Sequence, residues 1–409
     1  MLNKIWFYTI SIAFLSACYQ GFVVADVEIF QRMLTAIFDM AQLCVKLAIG
    51  LIGLLAFWLG IARVAEKSGA IQKLAHKLSP LFSSIMPEVP KGHPALGHVT
   101  MNMAANMMGL DNAATPLGLK AMQSLQSLNP KPDTASNAQI LFLVLNTSSI
   151  TLFPITVFMY RAQLGAASPT DVFLPILLAT CASTLAGFLA VAYCQKLNLF
   201  RLKMLMVLGL FISLMSGLFV YLMTLTAHQL ETVSSVGANF LILFFIVLIL
   251  AIAHFKRVEV YQEFVEGAKE GFNTAVSIIP FLLAMLVAIA MLRSSGILDS
   301  MLALIGLLVS LFNGDTRFVD ALPVAFLKPL SGSGARAMMI ETINTHGVDS
   351  FAGRLAAIMQ GSTETTFYVL AVYFGSVKIK YVRHAIGCGL FADFAGISAA
   401  ILVAFIFYG

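Results

Sequence analysis

The sequence predicts an all-α polytopic membrane protein of about nine transmembrane helices, built from two inverted-topology repeats that each carry a re-entrant helical hairpin. Three observations predict it. The composition is too apolar for a soluble protein, apolar runs long enough to cross a bilayer recur along the chain, and two polar, helix-breaking stretches match each other across a weak internal repeat.

Hydrophobic residues make up 59% of the 409 positions and charged residues 11%, against roughly 25% charged in an average soluble domain. Too few charges remain to cover a soluble surface of that size. Runs of about 20 apolar residues match roughly 30 Å of hydrocarbon when helical, and no alternation of period two suggests a barrel. The net charge of +5 is scattered beside the apolar runs, so it reads as a topology signal and excludes a nucleic-acid patch. Cys18, Cys44, Cys181, Cys194 and Cys388 lie in or at the ends of apolar runs without CxxC spacing, which reads as buried small hydrophobes and indicates neither a zinc site nor a disulfide frame. No metal and no cofactor is expected. Leu15–Cys18 has the look of a lipoprotein cleavage box, but the apolar run continues through Ala25, so a first transmembrane helix is the preferred reading.

The spans fall near 5–25, 40–62, 138–160, 172–194, 203–224, 235–254, 272–292, 352–374 and 385–408. Basic clusters at Arg63, Lys67, Lys73 and Lys77, at Lys196, Arg201 and Lys203, at Lys256 and Arg257, and at Lys378, Lys380 and Arg383 all share one side if the N-terminus is cytoplasmic. The expected location is the bacterial cytoplasmic (inner) membrane, multi-pass, with a cytoplasmic N-terminus. Two stretches, 66–136 and 294–350, are too long for simple connectors. Ala70–Leu81 and Ile297–Phe312 within them are amphipathic, and could lie along the membrane surface or line the bundle.

These stretches reveal the repeat. Lys67–Ile71 matches Ser294–Leu298, Lys120-Ala121-Met122 matches Arg336-Ala337-Met338, and Asn146–Thr151 matches Gly361–Thr366, in the same order. An odd number of spans separates the equivalent helices, so the halves are inverted, a design in which a substrate sits at the repeat interface near the midplane. The expected division is 1–200 for the first half, 201–254 for connecting transmembrane helices and 255–409 for the second half.

The polar segments carry the chemistry. In the first half Asp111-Asn112 reads as a turn and Thr115-Pro116 as a helix start, with Asn102 and Asn106 four apart on the preceding helix. In the second, Ser331 or Ser333 of Pro329–Arg336 can cap the following helix. Lys120 and Arg336 sit near the two helix starts, whose free N–H groups suit an anion. Asn146, Thr147 and Ser148 form one polar patch inside a span, and Ser362, Thr363, Glu364 and Thr365 form the other, which implies local unwinding around a cavity. Glu364 is the candidate for ion or proton coupling, with Asp111 and Asp393 as further carboxylates, because an intramembrane acid is costly. His93 and His98 have no clean metal spacing, and no phosphate loop or catalytic triad is present, so no enzyme is expected.

The same residues carry a family resemblance. Residues 1–200 resemble spore maturation protein A, through Asn102–Asn106, Gly109–Met122 and Leu145–Ser149. From about 255 onward the chain resembles spore maturation protein B, through Glu266–Phe272, Ile279-Pro280, Pro329–Ala335 and Gly361–Tyr368. It looks like a fusion of the two. The resemblance implies the nucleoside-recognition or Gate domain, shared with concentrative nucleoside transporters and the ferrous iron permease, and so a Gate repeat in each half. A spore role and a nucleoside substrate do not follow from it, because a fold is not a function.

The expected function is that of a secondary transporter-like protein moving a small polar or anionic solute. Its partners are then a small-molecule or ion substrate and the lipid bilayer, with room for a homo-oligomer. The alternative is a non-transporting scaffold or partner-binding protein in envelope or spore maturation. A scaffold predicts a dry repeat interface; a transporter predicts a polar cavity there.

Overall fold

The computed structural model describes residues 2–90, 92–197, 199 and 202–409, with side chains except at residues 2, 3, 5, 111–113, 202, 203 and 227. After α1 (Leu2–Phe22), the same series of seven helices occurs twice. The first is α2 (Ile29–Lys67), α3 (Ala70–Ile85), α4 (Pro94–Met107), α5 (Asp111–Gln126), α6 (Asn137–Thr147), α7 (Ile155–Gln163) and α8 (Phe173–Cys194). Two connecting helices follow, α9 (Leu202–Met223) and α10 (Ala227–Phe255). The second series is α11 (Val260–Ser294), α12 (Ile297–Leu311), α13 (Leu322–Leu327), α14 (Gly332–His346), α15 (Phe351–Ser362), α16 (Thr366–Ser376) and α17 (Ala385–Tyr408). Among the described residues there is no strand, only an isolated bridge between Thr134 and Tyr381.

The repeat extends to local detail. α2 and α11 each end on a buried serine, Ser68 or Ser295, whose hydroxyl donates to the carbonyl of Ala65 or Leu292. A glycine in the left-handed region follows in each case, Gly69 at φ 72° and Gly296 at φ 71°, and turns the chain into the next amphipathic helix.

Equivalent helices pack against one another, antiparallel. Along the α2–α11 interface Arg63 bonds Glu263 and Glu270 at 2.9 and 2.7 Å, Ala56 lies against Gly271, and the Cys44 thiol reaches the Ile279 carbonyl. Rising numbers in one helix thus meet largely falling numbers in the other. In the α8–α17 pair, Cys194 meets Cys388 with sulfurs 3.8 Å apart, Ser183 donates to the Ala392 carbonyl, and Tyr408 donates to the Asp171 carbonyl. Two series in the same order, with partner helices antiparallel, are inverted repeats.

Among the described residues six helices are long and apolar enough to cross a membrane: α2, α8, α9, α10, α11 and α17. α9 and α10 bury little surface inside the protein, as helices facing lipid do. The expected spans 138–160 and 352–374 are not continuous. Each is a helix pair, α6 with α7 and α15 with α16, broken where the polar patch falls.

Close approach at the α2–α11 crossing rests on small residues, as is usual between helices in lipid. A Cβ on Gly271 would lie 2.4 Å from Ala56 Cα, whereas one on Gly306 of α12 would meet nothing within 4 Å. Gly271→Ala should therefore cost about 1–3 kcal/mol through overpacking, and Gly306→Ala should be neutral or stabilising through helix propensity. Thermal melting of the purified variants in detergent checks this; equal midpoints would contradict the crossing.

Candidate functional site

Each repeat folds a helical hairpin against its own broken helix. In the first, α4 turns into α5 through Met108, Gly109 and Leu110, with Gly109 at φ 66°. A Cβ there would sit 2.3 Å from the Phe153 carbonyl, so only glycine allows the tip to touch the unwound segment. The turn is thus earlier than Asp111-Asn112. α5 already begins at Asp111, and Pro116 lies within it rather than starting it at Thr115. The side chains of Asp111 and Asn112 lie outside the described residues. In the second repeat α13 turns into α14 through Lys328–Ser331, and Ser331, rather than Ser333, caps α14 by accepting from the Gly334 N–H at 3.0 Å.

Helix starts also correct one pairing. Arg336 is the fifth residue of α14, so its counterpart in α5 is Thr115; Lys120 is the tenth and corresponds to Glu341. Lys120 is exposed, and Glu341 is buried and bonded to Arg293.

The breaks are held by backbone bonds to the hairpin tips. The Leu152 N–H donates to the Met107 carbonyl at 3.1 Å, and the Phe367 N–H donates to the Pro329 carbonyl at 3.0 Å. The two breaks are also bonded to each other, the Glu364 N–H donating to the Thr147 carbonyl at 2.8 Å. The hydroxyls of Thr147, Ser148 and Ser362 are fully buried and donate to carbonyls one helical turn back, on Val144, Val144 and Met359. They finish the helix ends and face no cavity.

A buried amide cluster sits beside the first break. Asn146 donates to Asn102 Oδ1 at 2.6 Å and accepts from Asn106 at 2.8 Å and from the Tyr373 hydroxyl at 3.3 Å. Asn102 also donates to the Ala114 carbonyl at 2.7 Å. The cluster ties α4, α5 and α6 of the first half to α16 of the second. Asn102 and Asn146 are structural in this arrangement, while Asn106 reaches the cavity beyond.

That cavity, of about 100 Å³, lies where the two hairpin tips and the two breaks meet. Asn106, Arg336, Thr363, Glu364 and Thr365 line it, as do Gln360 and Thr151 from the same polar patches. Gly332 of the Pro329–Arg336 segment lines it as well, and so do Lys328 and Tyr160, which no motif marks. Lys328 is buried and donates to the Gln360 carbonyl at 2.6 Å. It was legible only as a basic residue inside the apolar run ahead of Pro329. The Arg336 guanidinium lies over the Tyr160 ring, 5.6 Å from its centroid, and among the described residues its buried Nε has no hydrogen-bond partner. The Thr363 hydroxyl is buried and interacts with the Asp393 carboxylate. The first residues of α7 and α14, and Thr365 just before α16, face this space, and helix starts present positive partial charge. Glu364 is exposed. Asp393 does not line the cavity; it is buried behind it and accepts from the Thr366 hydroxyl at 2.7 Å.

Ser333 opens on a neighbouring recess, and Ser331 is spent on its cap. His93 caps α4 through Nδ1, and His98 pairs with Ser124, so both are structural. Among the described residues no group of three or more His, Cys, Asp or Glu side chains converges as a metal site would need. A charged knot beyond Tyr160 was missed altogether. Arg161, fully buried, pairs with Asp171 at 2.9 Å and Asp349 at 3.2 Å, while Arg354 pairs with Asp171 and Glu231 at 2.9 Å each. Burial pushes the Asp171 carboxyl above the usual carboxylate range, against the pull of both arginines.

An all-helical membrane protein with two inverted repeats, each a hairpin closed on a broken helix, facing one shared polar cavity: this is the class the structure defines. The chain belongs to the nucleoside-recognition (Gate) family, which matches residues 48–163 and 275–380, one block in each repeat. It is 47% identical to spore maturation protein B of Bacillus subtilis (strain 168) over 154 residues, which are 38% of this chain and 85% of that protein. It is 37% identical to spore maturation protein A of the same organism over 193 residues, 47% of this chain and 95% of that protein. One polypeptide here carries counterparts of both.

Asn146→Ala would leave Asn102, Asn106 and Tyr373 without their shared partner in a buried place, at a cost of about 1–3 kcal/mol. A thermal midpoint several degrees lower is expected, with Lys120→Ala unchanged. An Asn146→Ala midpoint matching the parent would refute the structural role of the cluster.

Proposed function

We propose that this protein is a secondary transporter-like protein of the bacterial cytoplasmic membrane, with its N-terminus cytoplasmic, moving a small polar or anionic solute through the cavity between its repeats. The observation that carries this reading is the cavity itself. Half its lining comes from each inverted repeat, at the tips and breaks where irregular backbone is tolerated only beside protein or water. Arg336 and Lys328, with the starts of three helices, favour a negatively charged group. The buried Arg336 Nε, which meets no acceptor in hydrogen-bond geometry among the described residues, is what a ligand would satisfy, and it counts against a dry scaffold interface. Glu364, the carboxylate on the lining, is the coupling group in this reading. The N-terminal orientation is supported by the basic ends of α2 and α10, where Lys256 Nζ lies beside Gly69.

The test has two stages. A thermal-shift screen of the purified protein against carboxylates, phosphates, amino acids, nucleosides and divalent cations should find one stabilising class, and Arg336→Gln should lose at least tenfold in affinity for it. In proteoliposomes, Glu364→Gln should bind the same solute yet lose gradient-driven accumulation. Uptake still coupled in Glu364→Gln would remove the coupling role; no stabilising solute in the whole screen would favour the scaffold.

A further inference from the structure

The polar cavity has a second chamber behind it. Gly109, Ile155, Thr156, Tyr160 and Arg336 line both, so the two spaces share one wall of residues. The second chamber measures about 250 Å³, and its far walls are mostly apolar: Leu51, Leu55 and Trp58 of α2, Met159 of α7, Phe245 of α10 and Ile278 of α11, with the Thr274 hydroxyl, which donates to the Glu270 carbonyl, as a polar exception. An apolar cavity of about 150 Å³ stays dry and can hold a benzene ring, because water needs several polar partners that such walls lack. A third recess, lined by Ser277, Phe281, Ser333 and Arg336, meets the second at Ile278 and opens beside Phe281, which is 68% exposed on the outer face of α11.

Arg336 therefore stands at a junction. On one side are the hydroxyls, amides and helix starts of the polar chamber, and on the other an apolar space larger than any small inorganic anion needs. A solute that was polar throughout would leave the larger space empty, and one that was apolar throughout would leave Arg336 Nε unsatisfied. We propose that the solute is an amphiphilic anion, a phosphate or carboxylate head carrying an alkyl or aryl group. Its head sits against Arg336 in the polar chamber and its apolar part fills the chamber bounded by Leu55, Trp58 and Phe245. This inference rests on the transport reading of the same cavity and specifies the substrate class for it.

The experiment is a chain-length series, with methyl, butyl and hexyl phosphate and the matching carboxylates titrated into the full chain in lipid nanodiscs, corrected against empty discs. Each methylene that enters an apolar chamber should tighten binding about fourfold, and Arg336→Gln should weaken every member by tenfold or more. Leu55→Trp, which fills the chamber, should abolish the gain with length. Phe245→Ala, which enlarges it, should shift the best length upward, so the result does not depend on one variant folding. Arg336-dependent binding with no dependence on length would overturn the amphiphile and leave the anion site standing. A length dependence unchanged in both chamber variants would overturn it as well. If no anion of either series binds in an Arg336-dependent way, both this inference and the anionic reading of the cavity fall.

Discussion

The hydrogen bond from the Leu152 N–H to the Met107 carbonyl, and its counterpart from Phe367 to Pro329, are what make the rest of the structure permissible. A helix can be interrupted inside a bilayer only if its freed backbone groups find partners in protein or water. Here each broken helix finds them on the tip of its own repeat's hairpin. The hairpins must then be as deep as the breaks, and bringing two such assemblies together encloses a polar space at that depth. The Glu364–Thr147 backbone bond and the Asn146 cluster, which reaches Tyr373 in the other half, lock the assemblies across the interface.

Inversion gives this arrangement its symmetry, and the charges depart from it. Arg336 projects from α14 into the shared cavity, while the corresponding position of α5 is Thr115. Lys328 precedes α14 from inside the second hairpin's tip, where the first has the Gly109 turn. Both cations of the lining thus come from the second repeat, and the amide Asn106 from the first. The site is not the sum of two equal halves. A pseudo-symmetric scaffold supplies depth and shape, and one half supplies most of the charge.

Much of the fold was legible because lipid narrows the choices. Apolar runs of spanning length and the polar patches at Asn146–Thr151 and Gly361–Thr366 point to helices and to breaks in them in a helical membrane protein. The site was legible by segment more than by residue. A run such as Ser362–Thr365 announces an unwound helix, but the side chain of each residue faces in a direction set by the break, so Ser362 is turned onto its own helix while Thr363 faces the cavity. The first turn was misplaced because Asp111-Asn112 has ordinary turn chemistry, and the tight contact of Gly109 with Phe153 is tertiary. The Arg161–Asp171–Arg354 knot joins two positions on either side of the loop between α7 and α8 to a third 183 residues beyond Asp171, and no local pattern pairs them.

The α9–α10 pair has a consequence of its own. It leaves and returns to the same side of the membrane, so the two repeats would be inverted with or without it; what it adds is a tether. In Bacillus subtilis the counterparts are two proteins, each of which requires its own synthesis and insertion. Joined in one chain, the halves are produced in equal number, and the second repeat folds tethered beside the first, so their docking is an intramolecular step. Stoichiometry, which two separate genes would have to regulate, becomes a property of the covalent chain.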